Sequence, residues 1–191
     1  MKQSLFLLLT VITITAHAQS DFSEKNTSSI RLGGAYVRDF PGLNGAAAFA
    51  EYSFPINEWF QAGIGLKHIE TSGYPRVQTI KEYTRATTID LNLMFVPYHT
   101  DNAAIRIGTG YSLSRYNAKR SYPVFEGHGT TVEGQAPTWK EYDAKGWTRG
   151  VILSAEYEYY FESNISIGAK IALSKAYSDI VVGGPFVSVR F

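Results

Sequence analysis

The sequence predicts an all-β chain, an eight-stranded antiparallel up-and-down barrel whose strands cross a membrane, and three observations predict it. Apolar and polar residues alternate with period two through eight segments, the polar set is crowded with glycine and serine, and aromatic residues gather at the segment ends. No stretch after the first twenty residues approaches the ~20 apolar residues of a transmembrane helix, so a membrane crossing would have to be made by strands.

The chain opens MKQSLFLLLTVITITAHAQS, with Lys2, an apolar run from Leu5 to Ile14, and Ala16-His17-Ala18. A charged start, a greasy middle and small residues at a cleavage point predict a secretory signal peptide over residues 1–18. A short periplasmic segment, 19–27, and a barrel domain, 28–191, then follow. Removing eighteen of 191 residues leaves 173, enough for one domain with a sizeable core. The removed piece carries one Lys, which takes Lys+Arg from 18 to 17 against 17 Asp+Glu. A formally neutral chain does not call for a nucleic-acid partner, and zero Cys means no disulfide staples it.

Ile30, Leu32, Gly34 and Tyr36 share a face and start the series, and the second segment, Ala46 to Phe54, has an AAAFA centre that reads equally well in either register. Phe60, Ala62, Ile64 and Leu66 form the third. In the fourth, Thr87, Ile89, Leu91, Leu93 and Phe95 oppose Thr88, Asp90, Asn92 and Met94. Ile105, Ile107, Thr109, Tyr111 and Leu113 then oppose Arg106, Gly108, Gly110, Ser112 and Ser114. The sixth sets Val151, Leu153, Ala155, Tyr157, Tyr159 and Phe161 against Ile152, Ser154, Glu156, Glu158 and Tyr160. Ile165, Ile167, Ala169, Ile171 and Leu173 form the seventh stripe, and Val181, Gly183, Pro185, Val187, Val189 and Phe191 the last.

Alternation alone does not say which face meets lipid. Glycine weakens strands, and a water-facing surface has no steric reason to prefer it, whereas the interior of a narrow barrel does. Gly33, Gly63, Gly65, Gly108, Gly110, Ser112, Ser154, Gly168 and Ser174 are therefore assigned inward. Connections alternate in length: short turns near 55–58, 97–102 and 162–164, long ones through 71–83 and 115–146. Short turns on the periplasmic side with long loops outside is the outer-membrane pattern. Tyr52, Phe54, Trp59, Phe60, Phe95, Tyr98, Tyr157, Tyr159, Tyr160 and Phe161 flank the short turns, while Tyr36, Tyr74, Tyr83, Tyr111, Tyr116, Trp147 and Tyr177 flank the long ones, giving two aromatic belts.

On these residues the chain resembles the small eight-stranded outer-membrane β-barrels of OmpX and Ail type and the OmpA transmembrane domain, over Ser28 to Phe191. Val187, Val189 and the terminal Phe191 resemble the signal that such barrels present to the outer-membrane assembly machinery. The resemblance implies an outer-membrane location among outer-membrane lipid and lipopolysaccharide. Pro185 departs from the pattern, and its missing N–H suggests that the last strand begins near it.

The register turns Arg31, Glu51, Lys67, Asp90, Arg106, Glu156, Glu158, Lys170 and Arg190 inward, five bases and four acids. Such charges are costly unless paired, so an ion-pair network that plugs the lumen is expected. Function then falls to the loops. The longest, 115–146, carries Arg115, Arg120, Tyr122, Phe125, Trp139 and Lys140, and exposed aromatics beside cations suit an extracellular protein, a glycan or lipopolysaccharide phosphates. The expected function is surface interaction, adhesion or envelope integrity, without an enzyme activity, cofactor or metal.

Two alternatives belong to other classes. A small-solute channel of OmpW type would need an apolar path through the wall or mouth. A lipid A deacylase or acyltransferase would need a histidine with a hydroxyl, as in His68 with Ser72, or His128 with Thr130 and Glu133, although neither spacing matches a catalytic motif. Gly110-Tyr111-Ser112-Leu113 runs into Ser114 rather than the glycine of an esterase elbow.

Overall fold

In a computed structural model, residues 27–40, 42–74, 80–124, 138–161, 164–176 and 178–191 are described. The expected signal peptide and all but Thr27 of the N-terminal segment lie outside them, as do Phe125, His128, Thr130, Glu133 and Tyr177.

Eight antiparallel strands close into a barrel in chain order: β1 (Ser29–Asp39), β2 (Leu43–Pro55), β3 (Phe60–Gly73), β4 (Glu82–His99), β5 (Ala103–Val124), β6 (Thr138–Tyr160), β7 (Ile165–Lys175) and β8 (Asp179–Arg190). Each strand pairs with its chain neighbours, and β8 returns to β1, so within the wall there is no free edge. Phe191 donates its N–H to Ser28 O at 3.0 Å. Val189 and Val187 face Ile30 and Leu32 on β1, and Ile165 and Ile167 on β7, which pins the terminus between both neighbours.

Side chains sort by parity. Outward Leu32, Ile107, Leu153 and Ile171 are more than half exposed, whereas inward Arg31, Arg106, Glu156 and Glu158 are buried. A barrel in water buries its apolar set; this one exposes it in a band and buries its charges. Outward Ile105 to Leu113 covers nine residues of β5, and at about 3.3 Å per residue with a ~40° tilt that is roughly 23 Å, the height of an apolar membrane band. The second segment settles in the register that puts Ala46, Ala48 and Ala50 outward and Ala47 and Glu51 inward.

In the interior, glycines face large rings. Gly33 lies opposite Phe49 and Gly168 opposite Phe186, and a Cβ at either glycine would come within 2.3 Å of the facing ring. Glycine is needed there because its cross-strand partner occupies the space.

Four sequence expectations change. The segment 115–146 is not one long loop: β5 continues to Val124 and β6 starts at Thr138, paired up to Val124 opposite Thr138. Arg115, Arg120, Tyr122, Trp139 and Lys140 therefore stand on strands. The ribbon escaped detection because it rises beyond the apolar band, where neither face has to be hydrophobic. Pro185 lies inside β8 rather than at its start. The β1–β8 ladder skips from Gly33 opposite Phe186 to Tyr36 opposite Gly183, while the β7 side runs unbroken through Ala169 opposite Pro185. A missing N–H interrupts only the side it would have served, so a strand can continue past it. Tyr160 is buried in the lumen instead of joining a belt, and Tyr116 packs against an interior apolar cluster for the same reason of parity.

Candidate functional site

Three layers of inward side chains line the lumen, and β1 shows their order: Arg31 at one level, Val37 above it, Asp39 above that. The lowest layer is ionic. Arg31 Nη1 reaches Glu156 Oε2 at 2.9 Å and Glu51 Oε1 at 3.3 Å, and its Nη2 lies 3.5 Å from Glu158 Oε2. Lys170 Nζ closes the ring from β7, 2.6 Å from Glu51 Oε2 and 2.9 Å from Glu156 Oε1. From β5, Arg106 donates to Glu158 Oε2 and to Tyr160 Oη, each at 2.5 Å, and Ser166 donates to the other oxygen of Glu158. Asn92 Nδ2 donates to Glu51 Oε2 at 3.3 Å, while Lys67 and Asp90 pair separately at 3.0 Å. Arg190 stacks over the Tyr160 ring at 4.3 Å. The nine inward residues thus draw on all eight strands, and every carboxylate meets a cation. Removing charges from water costs several kcal/mol per ion, so pairing of this density is what lets a narrow bore hold them.

Above it lies an apolar layer that alternation alone did not reveal, because its members sit on the polar parity. Val37, Ala47, Ile69, Ala86, Ile180 and Val182 pack across the bore, with Ala35 and Tyr116 against them. A second polar cluster sits on top. Arg120 Nη2 binds Asp39 Oδ2 at 2.7 Å, its Nη1 is 3.8 Å from Glu82 Oε2, and Thr84 and Ser178 donate to Asp39. Ser121 donates to Glu82 at 2.5 Å. Arg120, expected among outward-acting loop residues, is instead committed to the lumen. The signal available was parity: Asp39 and Glu82 continue the inward faces of β1 and β4 past their apolar stripes.

Over these layers stands the β5–β6 ribbon. β4 accompanies β5 only as far as Tyr83 opposite Lys119, and β7 accompanies β6 only as far as Lys175 opposite Val151. The β7 side of β6 therefore has no strand partner from Thr138 to Gly150 among the described residues. Lys119 pairs with Glu141 at 2.5 Å, and the exposed Tyr122 and Tyr142 meet edge to face at 5.7 Å. Lys140 is exposed on the ribbon, and Arg115 faces outward at its base opposite Trp147.

His68 faces outward on β3, its Nδ1 3.0 Å from Thr87 Oγ1 and its Nε2 3.6 Å from Glu70 Oε1. Ser72 is not its partner. The backbone around it runs in unbroken β2–β3 and β3–β4 ladders, and Arg85 Nε meets the same Glu70 Oε1 at 3.2 Å.

No protein-family model matches the chain, and no curated protein does. Solved structures do. The attachment invasion locus protein Ail of Yersinia pestis aligns with a TM-score of 0.53 at 12% identity, over 87% of this chain and 99% of that one. Neisserial surface protein A, NspA, aligns with a TM-score of 0.51 at 12% identity, over 88% and 98%. A major outer membrane protein from Thermus thermophilus gives 0.51 at 10% identity, over 86% and 99%. At such identities the likeness is one of fold. The chain has the fold of the small eight-stranded outer-membrane β-barrels.

Proposed function

We propose that this protein resides in the outer membrane as a closed barrel and acts through the ribbon it raises above the surface, in adhesion or another surface interaction. The observation that carries the reading is the contrast between a bore obstructed by two polar clusters with an apolar layer between them and a ribbon whose outer edge meets no strand among the described residues. An apolar layer resists wetting, which favours a closed lumen over the channel alternative, and open backbone donors and acceptors suit an extended partner segment. Tyr122, Trp139, Lys140 and Tyr142 supply aromatic and cationic side chains beside that edge, and Phe125 belongs to the residues between its two strands. Val187, Val189 and Phe191 serve as the assembly signal in this reading.

Ail of Yersinia pestis has been crystallised with the heparin analogue sucrose octasulfate, which makes a sulfated saccharide the first glycan to try here. The test compares cells displaying the intact protein with cells displaying a version in which 122–140 is replaced by a short turn, on immobilised heparin and on extracellular matrix protein. Binding by the intact form alone supports the reading; equal binding, or none by either, overturns it. Planar-bilayer recordings with no conductance above background are expected, and steady ion currents would restore the channel.

A further inference from the structure

The open edge of β6 carries a charge pattern that is complementary to itself. Trp139, Glu141, Asp143, Lys145 and Arg149 share one face of the ribbon, and Glu141 takes the ribbon's own cation, Lys119, at 2.5 Å. Asp143 and Lys145 are exposed, and neither forms an ion pair with a described residue. They stand two residues apart on an edge with no strand partner among the described residues, an acid and a base at fixed spacing.

A second copy of the chain can add its own β6 to this edge in two directions. Barrels in one membrane point the same way, so their edges would run parallel, with Glu141, Asp143 and Lys145 each level with its own copy. Like charges so placed repel. Barrels in two facing membranes point in opposite directions, and their edges run antiparallel about a two-fold axis between the membranes. Residues facing each other in such a pair lie on the same side of the sheet, so the pairing centres on a single residue. Centring it on Lys140, Glu141, Asp143 or Lys145 sets that charge against itself, and centring it on Tyr142 sets Glu141 against the partner's Asp143. Centring it on Ala144 removes every such clash. Asp143 then faces the partner's Lys145 at both ends of the two-fold, Trp139 faces the partner's Arg149 as a ring beneath a cation, and Tyr142 covers the partner's Gly146. Thr138 meets the partner's Gly150, so this register uses the open edge from end to end.

We propose that this protein binds a second copy of itself on a facing membrane, β6 to β6, antiparallel about Ala144. The inference rests on the reading that the ribbon acts at the cell surface, and it names the extended partner segment as the same segment of another copy.

The test uses the full mature chain in neutral phosphatidylcholine vesicles, half of them carrying a donor dye and half an acceptor, and reads energy transfer between the two populations. The double swap Asp143→Lys with Lys145→Asp leaves the net charge unchanged. Wild type should bridge to wild type, and swap to swap, to the same extent. Swap mixed with wild type sets acid against acid and base against base, and should bridge about tenfold less. Heat-modifiable migration identifies a sample that fails to fold; Lys145→Asp alone, which sets acid against acid at both positions, then substitutes and should weaken self-bridging by about the same factor. No bridging between wild-type vesicles overturns the proposal, and equal bridging in the mixed pair overturns it too. Either result leaves the ribbon reading to the heparin and matrix assay, where the facing surface carries no copy of the chain. A chain that does not insert into the vesicles removes the barrel reading and the pairing with it.

Discussion

The lower lumen and the ribbon use the same chemistry to opposite ends. In the lumen Arg31, Arg106 and the half-buried Lys170 lie among the buried Glu51, Glu156 and Glu158, and the contacts tie strands that are not neighbours: Arg31 on β1 reaches Glu156 on β6 at 2.9 Å. On the ribbon, Lys119 and Glu141 meet at 2.5 Å on adjacent strands and remain open to water. A charge pair in water contributes little, whereas removing one member of a buried set strands the rest in a medium of low dielectric. Lumen charges therefore hold the wall together, and ribbon charges are free to meet something else.

The largest effect should come from breaking the lumen at its hub. Arg31→Ala leaves Glu51, Glu156 and Glu158 without their shared guanidinium and should cost about 3–5 kcal/mol, read as a lowered urea midpoint in detergent micelles. Overfilling comes next. Gly108 faces Met94, whose Sδ would lie 2.0 Å from an added Cβ, so Gly108→Leu should cost about 1–3 kcal/mol in the same titration.

Excising the outer part of the ribbon, residues 122–140, should sharpen the contrast, because it leaves Arg120 with Asp39 and Glu82 and removes neither the lower network nor the apolar layer. The urea midpoint and the heat-modifiable shift should be nearly unchanged, while surface binding is lost. Smallest of all is Arg85→Gln, which breaks an exposed pair with Glu70 at 3.2 Å and should shift stability by less than about 1 kcal/mol. A ribbon deletion as damaging as Arg31→Ala would erase the distinction between the two regions.

The same contrast explains what the sequence could disclose. Where a strand crosses lipid, one face must be apolar, so Val151 to Tyr159 announced β6 and set Glu156 and Glu158 inward. Where the strand leaves lipid that demand ends: Arg115 to Val124 reads as a loop, although it pairs residue by residue with Thr138 to Trp147. Arg120 was misassigned for that reason. The apolar layer stayed hidden because Val37, Ile69, Ile180 and Val182 interrupt faces otherwise read as polar, and only closure of the sheet brings them together. Pro185 misled because the rule against proline concerns one ladder, and a strand has two.

The central claim is that the apolar parity meets lipid and the charged parity lines the bore. With zero Cys in the chain, single cysteines can be placed along β4 and labelled with a fluorophore, then the protein reconstituted with lipids carrying nitroxides on their acyl chains. Labels at Ile89→Cys, Leu91→Cys and Leu93→Cys should be quenched strongly, and those at Asp90→Cys, Asn92→Cys and Met94→Cys weakly or not at all. Quenching that is uniform along the strand, or strongest at 90, 92 and 94, would contradict it.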